Sequence, residues 1–425
     1  MTSNDQPGRG LKICHLGKFY PPATGGVETH VQTLARAQVA LGADVRVICV
    51  NHEGAGGSDV TWRTAASTAT VEQVDEGVRV TRLGRRASVS RFDVCPSLLT
   101  TLLRARREGV DIAHVHAPNP TMFAALAVLP KFKTLVVTHH SDVIKQRVLG
   151  AAFAPIERLI HARAAMVLSD SENYIGGSAP LKRIMHKVRT LPLGLDLRPF
   201  LSPNAAALSY AEKLRAEFGA PLWLTVGRLV YYKGFCNAVD ALANTPGRLV
   251  VVGEGPLKQK LVAQAKSRGV SHRIFWAGYL DEDELAGAYR AATALLFPSN
   301  ARSEGFGLAQ VEAMASGCPV INTQIPHSGV AWVSPHDETG ATVPVDDPAA
   351  LAQAMRRLND DSELRARFSS ASVARAMEEF DHRVMARRSF ALYDEATRCN
   401  VTRLSDAGSA RGTSPNEYSA KSALR

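Results

Sequence analysis

The sequence predicts an α/β protein in which two doubly wound domains, each built on a parallel sheet, face each other across a cleft. Short apolar segments alternate with amphipathic helical segments along most of the chain, a pattern typical of parallel sheets. The alternation stops near residue 200 and restarts near residue 223. The length of 425 residues agrees with two or three domains.

The composition indicates a globular protein. Hydrophobic residues make up 45% of the chain, and no run of eighteen apolar residues predicts a transmembrane helix. The first residues lack an apolar signal segment. Six scattered cysteines without a C-x-x-C pair argue against a disulfide framework or a zinc site. We therefore expect a cytoplasmic protein.

The formal net charge of +10 would attract anionic partners. We interpret the basic residues as a solvated face. An anionic membrane surface, at the inner face of the plasma membrane, is the second interpretation. No zinc finger or RNA-binding signature accompanies the charge, so we expect no nucleic-acid partner. The mild basic clusters comprise Arg82, Arg85, Arg86, Arg91, Arg104, Arg106 and Arg107.

The N-terminal half begins with a buried strand at residues 11–16 and a helix that starts near Gly26. Gly25 and Gly26 would let backbone N–H groups face a phosphate or a sugar, although a glycine pair more often serves only the helix start. We predict a surface loop at residues 52–70. Further strands are predicted at 44–50, 78–83, 111–116, 134–138, 165–169 and 188–191, and helices at 97–107 and 121–129.

Two adjacent histidines, His139 and His140, follow the predicted strand at residues 134–138. Polar groups at the carboxyl end of a parallel strand lie in the ligand crevice. Neighbouring residues of an extended chain point in opposite directions, so we expect one of the two rings to face the crevice. A site role and a structural role are both open for it. We interpret His114 and His116 as structural, and without an H-E-x-x-H motif we predict no metal.

The C-terminal half restarts with a strand at 223–226, followed by Gly227, Arg228 and, five residues later, Lys233. A guanidinium offers a fork for phosphate oxygens and an ammonium offers a point charge. The turn therefore indicates a diphosphate site, with a solvated basic turn as the alternative. Further strands are predicted at 249–252, 274–277, 294–297 and 320–322.

Glycines also follow the strand at 249–252, but Lys258 occupies the third glycine position of G-x-G-x-x-G. The start of the chain also lacks that fingerprint. Both observations argue against a dinucleotide-dependent dehydrogenase.

Two acids, Glu304 and Glu312, lie eight residues apart, the first before a short predicted helix and the second inside it. Gly305 and Gly307 permit close backbone approach, and the N-terminus of the helix would attract an anion. The carboxylates would accept hydrogen bonds from hydroxyl groups. A ligand with central phosphates and sugars at both ends suits this layout. The alternative is a plain strand–helix turn with solvated acids.

Cations from one loop, acids from another and a histidine from the opposing domain are what transfer from a nucleoside diphosphate donor requires. Binding places donor and acceptor together, and the cations stabilise the departing diphosphate.

Five segments together resemble the retaining glycosyltransferases of the GT-B fold, the group 1 or family-four class. The resemblance extends over residues 11–393. The segments are GGVE at 25–28, THHSD at 138–142, GRLVYYKG at 227–234, GEGP at 253–256 and SEGFGLAQVEAMASGCPV at 303–320.

The resemblance implies that Arg228 and Lys233 bind the donor diphosphate, that Glu304 lies beside the transferring sugar, and that His140 lies near the reacting sugar. It implies no dinucleotide cofactor and no metal; the nucleotide sugar is a co-substrate. The implied donor-binding residues are Gly25, Gly26, Gly227, Leu280, Gly305, Phe306, Gly307, Leu308 and Glu312.

We expect two Rossmann-like domains, an acceptor-side domain at residues 11–200 and a donor domain at 201–380. A helix at 381–403 would cross back to the first domain, and residues 1–10 and 404–425 would be disordered. The expected reaction transfers a hexosyl group, first of all mannose from GDP-mannose, to a glycan or lipid-linked acceptor in bacterial surface polysaccharide or glycolipid synthesis. The alternatives are a nucleotide-dependent oxidoreductase and a basic polyanion-binding protein.

Overall fold

A computed structural model describes residues 6–23, 25–52, 68–89, 92–142 and 147–409. Most of the predicted loop at 52–70 and the tail from residue 410 lie outside these residues. The described chain forms two large sheets and one small hairpin. Among the described residues, no helix has both the length and the hydropathy needed to cross a bilayer.

The first half alternates strands and helices as predicted, and its elements form an eight-stranded sheet with the order β10-β9-β8-β7-β1-β2-β4-β3. The elements are β1 (Lys12–Leu16), α1 (Gly26–Ala40), β2 (Asp44–Val50), β3 (Val71–Asp75), β4 (Val78–Leu83), β5 (Ala87–Val89), β6 (Phe92–Val94), α2 (Leu98–Arg107), β7 (Ile112–Ala117), α3 (Pro120–Val128), β8 (Thr134–His139), α4 (Arg147–Arg163), β9 (Met166–Ser169), α5 (Glu172–Gly177), α6 (Ala179–Lys182), β10 (Val188–Thr190) and α7 (Arg198–Leu201).

The sheet is parallel except at one edge, where β3 pairs antiparallel with β4. The sequence analysis missed β3 because its side chains are mostly exposed and show no apolar alternation. Glu76 and Gly77, with φ of 46° and 85°, form the two-residue turn that matches the twist of a hairpin. The short β5–β6 hairpin was also missed.

The second half forms a six-stranded, all-parallel sheet with the order β13-β12-β11-β14-β15-β16. Its elements are α8 (Ala205–Phe218), β11 (Leu222–Val226), α9 (Phe235–Leu242), β12 (Arg248–Val252), α10 (Lys258–Ser267), β13 (Ile274–Gly278), α11 (Glu282–Ala291), β14 (Ala294–Phe297), α12 (Leu308–Ala315), β15 (Val320–Thr323), α13 (Val330–Val333), β16 (Gly340–Val343), α14 (Pro348–Asp360), α15 (Ser362–Glu379) and α16 (His382–Ser409).

Each large sheet is covered on both faces, which explains why its central strands are apolar throughout. In the second sheet, Leu224 and Val226 contribute to a core with α8, α11 and α12, and Trp223 faces α9 and α14 on the opposite side. In the first sheet, Leu16 belongs to the face covered by α2 and α3, and Ile13 to the face covered by α1 and α16. The prediction of two doubly wound α/β units is confirmed.

The last helix, α16, leaves the second half and packs on the first sheet, where Phe390 and Tyr393 join the core beside α1. At the crossing, the amide of Leu195 donates to the carbonyl of Phe380 over 2.9 Å. The amide of His382 donates to the carbonyl of Leu195, also over 2.9 Å. The chain therefore passes between the two sheets through two adjacent, hydrogen-bonded segments.

Two predictions about the termini need correction. Helix α16 continues to Ser409, beyond the predicted start of a disordered tail at residue 404. The chain contains no glycine or proline between Phe380 and Gly408 that would end the helix earlier. Near the other end, residues 6–10 are ordered in turns, and Gly8 is buried and donates its amide to the carbonyl of Leu41 over 3.0 Å.

Candidate active site

A buried ion pair joins the two loops that the sequence analysis singled out in the second half. The ammonium of Lys233 lies 2.7 Å from Oε2 of Glu304, and the side chains are only 13% and 10% exposed. Lys233 ends a 3-10 turn, Tyr231–Lys233, in the loop that follows β11. A Cβ on Gly227 would lie 3.3 Å from Cε of Lys233, so the glycine gives the lysine stem room to turn inward.

The loop that contains Glu304 and Gly305 is fixed by hydrogen bonds from the segment after β15. The hydroxyl of Ser328 donates to the carbonyl of Glu304 over 2.6 Å, and the amide of Gly329 donates to the carbonyl of Gly305 over 2.8 Å. Gly307 adopts φ of 85° at the start of α12. A Cβ there would lie 2.6 Å from the ring of Phe297, so this turn requires glycine.

Glu312 lies inside α12, near enough to Lys233 to be affected by its charge. The hydroxyl of Tyr289 donates to its Oε2 over 2.8 Å. Removal of water by burial raises the pKa of Glu312, while the Tyr289 hydroxyl and the Lys233 charge act in the opposite direction. A ligand that donates hydroxyl hydrogens to this carboxylate would replace the missing water.

The other predicted donor-binding residues of the second half differ in exposure. Arg228 is exposed, and Leu280 is buried in the core after β13. Phe306 packs its ring against Trp332 and Phe380 at centroid distances of 6.2 and 5.6 Å. Since that side chain belongs to the core, Phe306 can offer only its backbone to a ligand, as can Leu308 at the first position of α12.

His140 of the first sheet meets the Glu304 loop across the cleft. A Cβ built on Gly305 would lie 3.6 Å from the carbonyl oxygen of His140. The two adjacent rings point in opposite directions, as expected: His139 hydrogen-bonds Asp142 over 2.9 Å, and Nδ1 of His140 lies 3.4 Å from Oδ1 of Asp170.

Gly25 and Gly26 are exposed at the N-terminus of α1. A Cβ on Gly25 would lie 2.2 Å from Oε2 of Glu28, so the glycine lets this carboxylate fold over the helix end. Burial raises the pKa of Glu28, against the opposing charges of His140 and Lys18. Helix α1 thereby brings the predicted glycines to the same edge of the sheet as His140.

Arg302 connects the two halves at the edge of the cleft. Its Nη1 donates to Oδ2 of Asp142 over 2.9 Å and its Nη2 donates to the carbonyl of Tyr174 over 3.1 Å, while its Nε donates to the carbonyl of His327 over 3.1 Å. Although burial opposes ionisation, hydrogen bonds from His139 and Ser178 and the Arg302 charge lower the pKa of Asp142.

We expect Arg302→Met to lower the free energy of unfolding by about 2 kcal/mol, because charge-assisted hydrogen bonds contribute about 1.5–3 kcal/mol. The two halves should also separate, which small-angle X-ray scattering would detect as a larger radius of gyration. Arg268→Met is the control, because Arg268 pairs with Asp240 inside the second half over 2.7 Å. Equal radii for both variants and the wild type would contradict a connecting role for Arg302.

Three groups of side chains within the described residues bring potential metal ligands within 4.8 Å of one another. In two of them the histidines hydrogen-bond each other. The third group contains two buried ring nitrogens without a hydrogen-bond partner, Nδ1 of His139 and Nε2 of His161, and it could ligate a small divalent cation. The groups are His15–His114–His116, His30–His116–His140 and His139–Glu157–His161.

Several residues that shape the site were missed by the sequence analysis. Asp170 directly follows β9, so the rule applied to His140 could have found it. Arg302 is a charged residue two positions before Glu304 and could have been found in the same way. Tyr289 lies within α11, and no local signal links it to Glu312, 23 residues later.

Comparison with known proteins decides the family. A model described as "Glycosyl transferases group 1" matches residues 210–375, and one described as "Glycosyltransferase Family 4" matches residues 24–198. The D-rhamnosyltransferase WbpZ of Pseudomonas aeruginosa is 34% identical over 350 residues, which cover 82% of this chain and 86% of that protein. This chain is a group 1 glycosyltransferase.

Other relatives extend over most of this glycosyltransferase. The O-antigen chain mannosyltransferase C of Escherichia coli is 28% identical, covering 88% of this chain and 96% of that protein. Sucrose-phosphate synthase from Thermosynechococcus elongatus superposes with a TM-score of 0.70 at 23% identity, covering 93% and 100% of the two chains. Anabaena HepE in complex with UDP gives 0.68 at 18% identity, covering 93% and 100%. The expected GT-B fold is confirmed.

Proposed function

We propose that this glycosyltransferase is a retaining hexosyltransferase that uses a nucleoside diphosphate sugar. The observation that carries the proposal is the buried Lys233–Glu304 pair, which lies beside the N-terminus of α12 and opposite His140 across the cleft. Few purely structural roles require a largely buried lysine on a glycine-bounded turn, whereas a diphosphate site requires a cation there.

In the proposed complex, Arg228, Lys233 and the first amides of α12 bind the donor diphosphate. As the bond between the anomeric carbon and the phosphate oxygen breaks, negative charge grows on the diphosphate, and these groups stabilise it. The acceptor hydroxyl forms the new bond to the anomeric carbon, and its proton leaves with the diphosphate. Before transfer, the bound donor displaces Lys233 from Glu304, and the freed carboxylate of Glu304 orients the sugar.

Glu312 is proposed to accept hydrogen bonds from the ribose hydroxyls, since a carboxylate has two acceptor oxygens and the Tyr289 hydroxyl donates to one of them, Oε2. The backbone near Leu280 lies at the carboxyl end of β13, the edge at which parallel sheets bind nucleotides, and is proposed to contact the base. Gly25 and Gly26 on the opposing edge are proposed to contact the donor phosphate or the acceptor.

Mannose from GDP-mannose is the proposed donor, and the proposed acceptor is a glycan or lipid-linked saccharide of bacterial surface polysaccharide or glycolipid synthesis. The name of one relative, an O-antigen chain mannosyltransferase, supports a mannosyl group and a surface-polysaccharide acceptor. The net charge of +10 supports a peripheral location on anionic lipid at the inner face of the plasma membrane.

A thermal-shift panel of GDP, UDP, dTDP and ADP with their sugars, beside NADH, tests the proposal. At about one hundred times its dissociation constant a ligand stabilises the fold by about 2.7 kcal/mol, so the GDP series should raise Tm and NADH should not. Glu312→Gln should reduce the GDP shift, because an amide binds two ribose hydroxyls less strongly than a carboxylate. Shifts by NADH alone would overturn the proposal, and shifts by another nucleotide series would overturn the choice of GDP.

A further inference from the structure

Buried histidines line the space between the first sheet and helices α1 and α16, next to the proposed active site. Their side chains are at most 7% exposed. Proposed donor chemistry accounts only for His140, which leaves four buried imidazoles without an assigned role. The five are His15 on β1, His30 on α1, His114 and His116 on β7, and His140 after β8.

Three of these rings form one continuous hydrogen-bonded chain. Nε2 of His140 lies 3.2 Å from Nδ1 of His116, and Nε2 of His116 lies 3.0 Å from Nδ1 of His15. Nε2 of His15 lies 2.8 Å from Oε1 of Gln38 on α1. The chain thus leads from the cleft to the contact between α1 and α16.

In each of these contacts a nitrogen of one ring points at a nitrogen of the next, as in a hydrogen bond. The centroids of His116 and His140 are 5.5 Å apart and those of His15 and His116 are 5.3 Å apart. These separations, compared with nitrogen–nitrogen distances of 3.2 and 3.0 Å, place each nitrogen on the line between two rings. Ligands of one metal ion would instead converge on a point beside that line.

The amide of Gln38 has a defined orientation because of α16. Its Nε2 lies 2.9 Å from the hydroxyl of Ser389 and 3.1 Å from that of Tyr393. Ser389 gives its own hydrogen to the carbonyl of Ala386 over 2.7 Å, and Tyr393 faces Nδ1 of His114 over 2.7 Å. Both hydroxyls therefore accept from the amide nitrogen, which leaves Oε1 of Gln38 facing His15.

The orientation of Gln38 determines the tautomer of each following ring. Burial lowers the pKa of His15 to about 4 and that of His116 well below its ordinary value, so each ring is neutral near pH 7 and has one N–H. His15 uses its Nε2–H for Gln38, so its Nδ1 must accept. His116 then donates Nε2–H to His15, and its Nδ1 accepts in turn.

We propose that Gln38 is a positioning residue of this enzyme: through His15 and His116 it requires His140 to donate Nε2–H and to direct Nδ1 at Asp170. This inference rests on the proposed function for its catalytic consequence, although not for its structural content. Gln38 lies three side chains away from the cleft and contacts no part of the proposed donor site. Gln38 would affect His140 only by fixing which nitrogen of each intervening ring donates and which accepts.

His140 faces the Asp170 carboxylate with its other ring nitrogen. Its Nδ1 lies 3.4 Å from Oδ1 of Asp170, a buried oxygen without another hydrogen-bond partner, and Glu28 also acts on the ring electrostatically. The neutral rings of His30 and His116 lie on the remaining sides. With Nε2–H directed at His116, the ring is held with Nδ1 towards Asp170.

Nitrogen-15 NMR of the histidine rings in the full-length protein at pH 7 tests the inference without any substitution. We expect His15 and His116 to be protonated at Nε2 only, and His140 to have a proton on Nε2. Assignment uses single His→Asn variants. Any other tautomer of His15 or His116, or a His140 ring that lacks a proton on Nε2, would overturn the inference even if the enzyme is fully active.

Gln38→Met tests transmission along the chain, because methionine fills similar volume without the amide. We expect the His116 and His140 signals to change, although Gln38 contacts neither, and kcat to fall about tenfold with a nearly unchanged KM for the donor, the lower end of the effect of outer partners of functional histidines. Gln32→Met on the same helix is the matched control, because Gln32 donates to Asp75 over 3.0 Å and is not part of the row of hydrogen-bonded histidines.

The two proposals fail in distinguishable ways. Unchanged His116 and His140 signals in folded Gln38→Met would overturn the inference and leave the transferase assignment intact. Wild-type protein with the expected tautomers but no transfer from any nucleotide sugar would overturn the proposed function alone. If Gln38→Met does not fold, the wild-type spectrum still decides the inference.

Discussion

Lys233→Met should reduce kcat/KM for the sugar donor about 1,000-fold, because removing one preorganised group that stabilises developing negative charge costs about 10²–10³ in rate. The same substitution should also destabilise the ligand-free protein. Glu304 is only 10% exposed on its side chain and lies 2.7 Å from the ammonium. Removing one partner of a buried ion pair typically costs about 3–5 kcal/mol, and we expect the lower end because Ser299 still lies 3.4 Å from Glu304.

Lys233→Met combined with Glu304→Gln separates these two effects. The double variant contains no buried unpaired charge, so its free energy of unfolding should return towards that of the wild type while its activity stays low. Urea unfolding and a product assay measure the two quantities. Lys133→Met is the control, since that lysine pairs with Asp111 at the surface and is 66% exposed on its side chain; exposed pairs contribute about 0–1 kcal/mol. Full activity of Lys233→Met would contradict its proposed role.

Gly234→Ala should lower the free energy of unfolding by about 3 kcal/mol, the upper part of the range for residues forced into sparsely populated backbone conformations. Gly234 adopts φ of 63°, and a Cβ there would lie 1.9 Å from the carbonyl oxygen of Pro298. No side-chain rotation relieves this contact, because the added Cβ is bonded to the backbone and the Pro298 oxygen is part of the backbone. The shift should also move the adjacent Lys233 away from Glu304 and reduce transfer.

Gly269→Ala is the matched control for that substitution. Gly269 follows α10 with a similar φ of 71° but has no heavy atom within 4 Å of the added Cβ. It should therefore show only the cost of a left-handed conformation, about 1–2 kcal/mol. Urea unfolding of both variants measures the difference. Equal losses would show that the contact with Pro298 is relieved by backbone movement.

Local patterns were sufficient to predict the features that local physics determines. The central strands were predicted because they are continuous apolar runs, and Lys233 and Glu304 because each follows a strand on a glycine-containing loop. The strand β3 was not predicted, since four of its five residues are exposed and its position depends on pairing with β4.

Pairings across the fold could not be predicted from local patterns. Gln38 was an unremarked polar residue in a helix, and its position between His15 on β1 and Ser389 on α16 depends on how α1 and α16 pack on the sheet. The histidines of β7 were interpreted as structural because they lie inside a strand. The contact of His116 with His140 became visible only when the strand register was known.

The return of α16 to the first sheet has a consequence for synthesis of the protein. The sheet residues Ile13, Val45 and Val80 share a core with Phe390 and Tyr393, which are translated only after the second half. At about 5–20 residues per second, the ribosome needs about 10–40 seconds to make the intervening second half. During that interval the nascent first half exposes part of its apolar face, and it becomes a complete folding unit only when the C-terminal helix has emerged.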